Sequence, residues 1–224
     1  MVRDVIKSDD MRILLLDLAG VIASLAVGAA LVTLSGQFAL QNFLLLLAFL
    51  LIGVAVTKYR HEEKREKGVY EHERSWQNVI SNGIIPVLCC VGFFFSGSPQ
   101  WIIAYICAVA GASADKFGSE LGVLSDKPMS LRTFKPVRQG TSGAISALGT
   151  FLSFIGALSI GMLAYFLYKP DPFSIFQIAI IGFAGSLVDS VAGIFEEMGL
   201  GTKGTSNLLC TLASALIGYV ALSF

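Results

Sequence analysis

Trp101-Ile-Ile-Ala-Tyr-Ile-Cys-Ala-Val-Ala-Gly-Ala-Ser-Ala-Asp115-Lys-Phe-Gly-Ser-Glu120-Leu-Gly-Val-Leu124 is apolar over enough of its length to cross a bilayer, yet its second half carries two carboxylates. A helix of about 20 residues covers the hydrocarbon core, so this stretch predicts a membrane helix. Ionisable groups inside such a helix are costly and mark functional sites, which makes Asp115 and Glu120 the first candidate residues. The phrase returns in shorter form at Gly185-Ser-Leu-Val-Asp189. Each copy is followed one loop later by Gly-Thr-Ser, as Gly140-Thr141-Ser142 and as Gly204-Thr205-Ser206. The repetition predicts one polar site assembled from two halves.

Outward from that stretch the whole chain reads the same way. Of its 224 residues 54% are hydrophobic and 14% charged, with a mean hydropathy of +0.72. About a quarter of the residues of a soluble domain are charged, so composition excludes that class. Apolar stretches at Ile13–Leu34, Phe38–Lys58, Val79–Phe95, Trp101–Leu124, Gly143–Tyr168, Phe173–Phe195 and Leu208–Phe224 predict an all-α polytopic transmembrane bundle of about seven helices, within a range of six to eight. The third and last are short enough to be half-spans. Residues 1–224 read as a single integral membrane domain, with a peripheral helix pair at 13–58, a charged helical loop at 59–78 and a site-bearing bundle at 79–224. The first apolar run begins after Arg12 and is too long for a cleavable signal, so it is expected to remain as a helix.

Net charge is zero, but Lys and Arg gather in alternate loops. They precede the first helix, fill the loops after the second and fourth, and include Lys203 after the sixth. Cytoplasmic loops are enriched in these residues, which predicts a cytoplasmic N-terminus and a polar site facing the cytoplasm. Cys89, Cys90, Cys107 and Cys210 fall in apolar segments without CxxC spacing and read as buried free thiols. The run from Lys58 to Arg74 interleaves Lys and Arg with Glu at helical ion-pair spacing such as Glu63 to Lys67, and reads as a solvated helical hairpin extending the second and third helices. Arg74 and the stripe of Gln77, Asn78 and Asn82 then enter the third helix, with Asn78 and Asn82 on one face.

Glycine and serine recur at helical spacing around each internal aspartate: Gly111, Asp115, Gly118, Ser119 and Gly122 in one segment, Gly182, Ser186, Asp189, Ser190 and Gly193 in the other. Small residues allow close helix crossings. An aspartate within such a stripe needs a cation or a donor, and the sequence offers no Lys or Arg at the expected depth of Asp189. Asp115 and Glu120 lie roughly 140° apart around a helix and cannot chelate one ion from a common face. Asp115 and Asp189, on different helices, can converge, and Mg²⁺ accepts one or two carboxylates plus phosphate oxygens. The Gly-Thr-Ser stretches, read as turns at helix starts, suit anions, and Arg132, Lys135, Arg138 and Lys203 stand nearby in sequence. Neither a GxxxxGK[ST] loop nor a GxGxxG turn occurs, and His61 and His72 lie in the charged loop, away from the acids. Nothing in the chain suggests nucleic-acid binding.

Taken together, Gly111 to Gly122, Lys135-Pro-Val-Arg138-Gln-Gly140-Thr-Ser-Gly143, Gly185 to Ser190 and Gly201-Thr-Lys-Gly204-Thr-Ser-Asn207 resemble the integral membrane family of phytyl-phosphate kinase and transmembrane protein nineteen, kin to CTP-dependent polyprenol kinases and lipid cytidylyltransferases. Position 116 is Lys where that family has a small polar residue. The resemblance implies Mg²⁺-dependent phosphoryl transfer from a nucleoside triphosphate, CTP above others, to an isoprenoid monophosphate. It implies Asp115 and Asp189 as metal ligands, and Glu120 as a ligand of a second metal or the orienter of a lysine. Lys135, Arg138 and Lys203 would meet phosphates, with Arg74 and Arg132 adding charge to the same mouth. Ser119, Asn78, Asn82, Gly140, Thr141, Ser142, Gly143, Gly204, Thr205, Ser206 and Asn207 would complete substrate binding. Two other functions fit the same residues: a cytidylyltransferase making CDP-lipid, and an ion-coupled transporter built from parallel repeats of helix–loop–helix units.

Overall fold

A computed structural model describes residues 16–70 and 75–222. Among them eight α-helices form: α1 (Leu18–Leu34), α2 (Ala39–Lys58), α3 (His61–Glu66), α4 (Trp76–Ser96), α5 (Gln100–Gly122), α6 (Ala147–Tyr168), α7 (Ser174–Glu197) and α8 (Lys203–Ala221). Seven have 17 residues or more, but only five of these, α2, α4, α6, α7 and α8, are long and apolar enough to cross a membrane; α1 is shorter, and α5, expected from its sequence to be a membrane helix, falls short because its second half carries Asp115, Lys116 and Glu120. With large apolar side chains such as Leu25, Phe151, Phe166, Ile180 and Val220 exposed on the outer faces, the chain is an all-α integral membrane bundle. The third and last long helices are full length, 21 and 19 residues, not half-spans. Their polar N-terminal turns, Trp76-Gln-Asn and Lys203-Gly-Thr-Ser-Asn, continue the helix below the apolar stretch.

The central element is α5, buried along its whole first two-thirds from Ile102 to Asp115. It packs against α6, α7, α8, α4 and α2. Glycine sets these crossings. A Cβ at Gly182 would stand 2.8 Å from the carbonyl carbon of Ala110, and one at Gly156 would stand 2.6 Å from the carbonyl oxygen of Ser113. Gly111 of α5 and Gly185 of α7 both abut Ser214 of α8. The small-residue stripes are therefore helix crossings at their glycines.

At the end of the bundle where α5 begins, Asn42 is fully buried and joins four elements: its amide donates to Ser35 Oγ at 2.8 Å, its side-chain oxygen accepts from Tyr168 at 2.6 Å, and its carbonyl accepts from Tyr105 at 2.5 Å. Tyr105 and Asp115 are separated by roughly 15 Å of helix rise, so this polar pin and the aspartates lie at different depths. All four cysteines are buried and free.

At the opposite end the charged segment departs from the expected hairpin. The chain leaves α2 through an extended Tyr59 and a left-handed Arg60, and α3 is a separate six-residue helix. Glu63 pairs with Lys67 at 3.0 Å as the spacing predicts, and Lys67 also faces Asp126. The Glu63 hydrogen bond raises the Lys67 pKa. Residues 123–146 form the connection from α5 to α6 around a two-stranded antiparallel ribbon, β1 (Met129–Ser130) and β2 (Ala144–Ile145), pairing Met129 with Ile145. Arg74 lies outside the described residues.

Candidate functional site

Asp115 of α5 and Asp189 of α7 come together beneath α8. Both are buried, at 7% exposure each. Lys203, the first residue of α8, bonds Asp115 Oδ1 at 3.1 Å and the two Asp189 oxygens at 3.1 and 2.9 Å. Thr202 sets the lysine there: its side chain and that of Thr205 form a reciprocal capping box that starts the helix at Lys203. The expectation that no cation reaches the depth of Asp189 is thus overturned. Lys203 follows Asp189 by a short loop, and its long side chain carries the ammonium back to the buried pair, which position along the sequence does not reveal.

Glu120 takes a different direction, as its angle from Asp115 requires. It accepts from Thr57 Oγ1 at 2.8 Å and pairs with Lys64 at 3.0 Å and Lys116 at 2.6 Å. Lys64 is 0% exposed. Besides Glu120 its ammonium donates to the carbonyls of Val56 and Thr57 at 3.0 Å each. Those carbonyls belong to the last turn of α2, where a cation is favoured. Glu120 is therefore placed among Thr57, Lys64 and Lys116 and apart from Asp189. Lys64 and Lys116 are site residues that sequence reasoning missed. Lys116 stands four residues before Glu120, the ion-pair spacing of a helix, which was a usable signal; a buried lysine within a run of solvated charges leaves none.

The two Gly-Thr-Ser stretches differ in conformation. Gly140 and Gly143 have positive φ and frame an irregular loop, with Gly143 packed on the backbone of Gly193 and Ile194. Gly204-Thr205-Ser206 is the first turn of α8, not a separate turn. They meet nonetheless: Ser142 donates to Glu196 Oε1 at 3.0 Å and Ser206 to Glu196 Oε2 at 3.1 Å. Glu196, an acid at the same end of α7 as Asp189, follows it by two helical turns on one face, a spacing that signals a shared neighbourhood.

Two cavities of about 330 Å³ each flank Asp115. One runs between α1, α2 and α4, where Val27, Phe43, Leu46, Leu50 and Val79 make it apolar, and ends at Asp115, Lys116, Glu120 and Lys203. The other is lined by the 139–146 loop, by Ser153, Ser186 and Ser190, and by Asp189 and Glu196. Asp115, Ser119, Val123, Gly140 and Lys203 belong to both walls. Asn78, Asn82 and Asn207 line the apolar cavity at its polar end, and Thr141, Ser142 and Gly143 line the polar one. Gly204, Thr205 and Ser206 stand beside these walls in α8. Arg132, Lys135 and Arg138 are exposed on the loop and line neither cavity. Arg138 instead lies beside Gly68 at the end of α3.

Among the described residues no group of three or more His, Cys, Asp and Glu is placed to hold a metal ion. Two carboxylates that already converge on one cation are nevertheless a donor set that fits Mg²⁺ when phosphate oxygens supply the remaining ligands.

A polytopic helical bundle with a carboxylate–lysine centre between an apolar and a polar cavity defines the class: an integral membrane protein with a buried charged site. The chain belongs to the integral membrane family DUF92, which matches residues 10–219. It is 38% identical over 205 residues to an uncharacterized membrane protein of Methanocaldococcus jannaschii, covering 91% of this chain and 84% of that one. It is 30% identical over 207 residues to Protein PGR of Arabidopsis thaliana, covering 80% and 70%. With the chloroplastic protein VTE6 of the same plant it shares 24% identity over 188 residues, 80% of this chain and 56% of VTE6. No solved structure matches the chain.

Proposed function

We propose that this protein transfers the terminal phosphoryl group of a nucleoside triphosphate, CTP by family resemblance, to an isoprenoid monophosphate, giving the diphosphate. The observation that carries the reading is the shared wall: an apolar cavity suited to a lipid tail and a polar one suited to a nucleotide meet at Asp115, Ser119, Val123, Gly140 and Lys203. The distant relation to VTE6 supports a kinase-like enzyme.

An oxygen of the lipid monophosphate attacks the γ-phosphorus as the bond from that phosphorus to the bridging oxygen breaks, and the nucleoside diphosphate leaves. The acceptor is already ionised at neutral pH and needs no strong general base, in keeping with a centre of Asp and Lys. Catalysis of this kind is positioning and charge stabilisation. Asp115 and Asp189 would hold Mg²⁺, which when bound neutralises the donor phosphates. Lys203 adds positive charge at the same point, and the hydroxyls of Ser142 and Ser206 and the loop from Gly140 to Gly143 hold the nucleotide. By the distribution of Lys and Arg the nucleotide arrives from the cytoplasm.

Purified protein incubated with a prenyl monophosphate and CTP tests this directly. Lipid labelled from γ-labelled CTP is expected, and α-label in the lipid would identify a cytidylyltransferase instead. Asp115→Asn and Asp189→Asn should each abolish transfer while the protein still inserts and purifies, and EDTA should stop the wild type. Undiminished activity in either variant, or in EDTA, overturns the metal assignment.

A further inference from the structure

We propose that Lys116 is the residue that receives the phosphate of the lipid, a reading that rests on the lipid-phosphate function above and assigns the acceptor subsite within it. The charged groups around the two cavities divide into two sets. In the first, two carboxylates, Asp115 and Asp189, share the ammonium of Lys203. In the second, which is the positive set because lysines outnumber carboxylates, Lys64 and Lys116 share the carboxylate of Glu120. An incoming phosphate finds the larger number of ammonium groups at the second set, and inside a membrane protein such interactions are only weakly screened.

Geometry assigns the parts within the positive set. Lys64 does not line the apolar cavity; its three ammonium donors meet the carbonyls of Val56 and Thr57 and the carboxylate of Glu120. It tethers Glu120. Lys116 does line the cavity, with its side chain 17% exposed there. Successive residues on a helix are turned by about 100°, so Lys116 points away from Asp115, whose carboxylate meets Lys203 at the wall both cavities share. A phosphate held at Lys116 stands next to the wall across which transfer would occur.

A second observation points to a polar guest at this end of an apolar cavity. Asn207 is buried, lines the same cavity, and its side-chain oxygen has no hydrogen-bond partner among the described residues. A buried amide oxygen without a partner is costly, and a phosphate O–H, a hydrating water or a half-turn of the amide toward phosphate oxygens would satisfy the group.

The test uses full-length protein in nanodiscs, with geranylgeranyl monophosphate, geranylgeraniol and CTP as separate probes of binding. Wild type is expected to bind the monophosphate more tightly than the alcohol. Lys116→Met should weaken monophosphate binding about ten- to a hundredfold, the range of a lost charged hydrogen bond. Its alcohol and CTP affinities should stay at wild-type values, its melting temperature should fall because Glu120 loses one of its partners, and Lys116→Arg should restore most of the preference for phosphate. If wild type prefers the monophosphate and Lys116→Met keeps that preference, the assignment of Lys116 is wrong and the lipid-phosphate function stands. If wild type does not distinguish monophosphate from alcohol, the function itself falls, and the subsite with it.

Discussion

Lysine 203 answers an electrostatic problem that the two aspartates create. Two carboxylates buried side by side repel, and a shared cation offsets that repulsion. The ammonium is that cation, at 2.9 to 3.1 Å. Replacing Lys203 by Met is therefore expected to do more than remove a phosphate contact. Transfer activity should fall about a hundredfold or more, as when a preorganised donor is lost. Unfolding in detergent should come at lower temperature, by about 1–3 kcal/mol of stability, because the carboxylates lose their partner. Near-normal turnover with an unchanged melting temperature would show that the lysine is incidental to the centre. Glu120 has different surroundings: both Lys64 and Lys116 lie on its carboxylate.

Among elements, the decisive contact is the triple packing of α5, α7 and α8, in which Gly111, Gly182 and Gly185 let the backbones approach until the aspartates can share one lysine. Gly182→Val should separate α5 from α7, since even a methyl group there would meet the Ala110 backbone at 2.8 Å. Overpacking of this kind costs about 1–3 kcal/mol, and the expected result is a lower melting temperature together with loss of activity. Gly28→Ala is the contrast. Its Cβ would lie 3.7 Å from Phe43, an ordinary van der Waals distance, so the protein should melt at or slightly above the wild-type temperature. A melting temperature for Gly182→Val equal to that of Gly28→Ala would remove the close crossing from the account.

On the scale of the whole molecule, the chemistry is gathered at one end of the bundle. The α3 segment, the 123–146 connection and the start of α8 surround the acids there, while Asn42, Tyr105 and Tyr168 close the other end with neutral hydrogen bonds. The four native cysteines are buried, which makes the orientation measurable by labelling. With a membrane-impermeant maleimide on intact cells, Ser96→Cys is expected to react directly and Lys135→Cys only after permeabilisation. The reverse pattern would put the nucleotide cavity on the outer side.

Hydropathy and glycine spacing by themselves determined that this chain is a helical membrane bundle, and the recurrence of GxxxD determined that two aspartates belong to one site, because both properties are periodic and local. Only the tertiary structure decided which charges neutralise one another. Lys203 and Lys64 are chosen as partners by where long side chains reach across elements, and Glu196 joins Ser142 to Ser206 over separations of 54 and 10 residues. Pairing in a bundle depends on the facing of helices around their axes, and a change of one residue turns a side chain by about 100°, which linear spacing within a single helix cannot express.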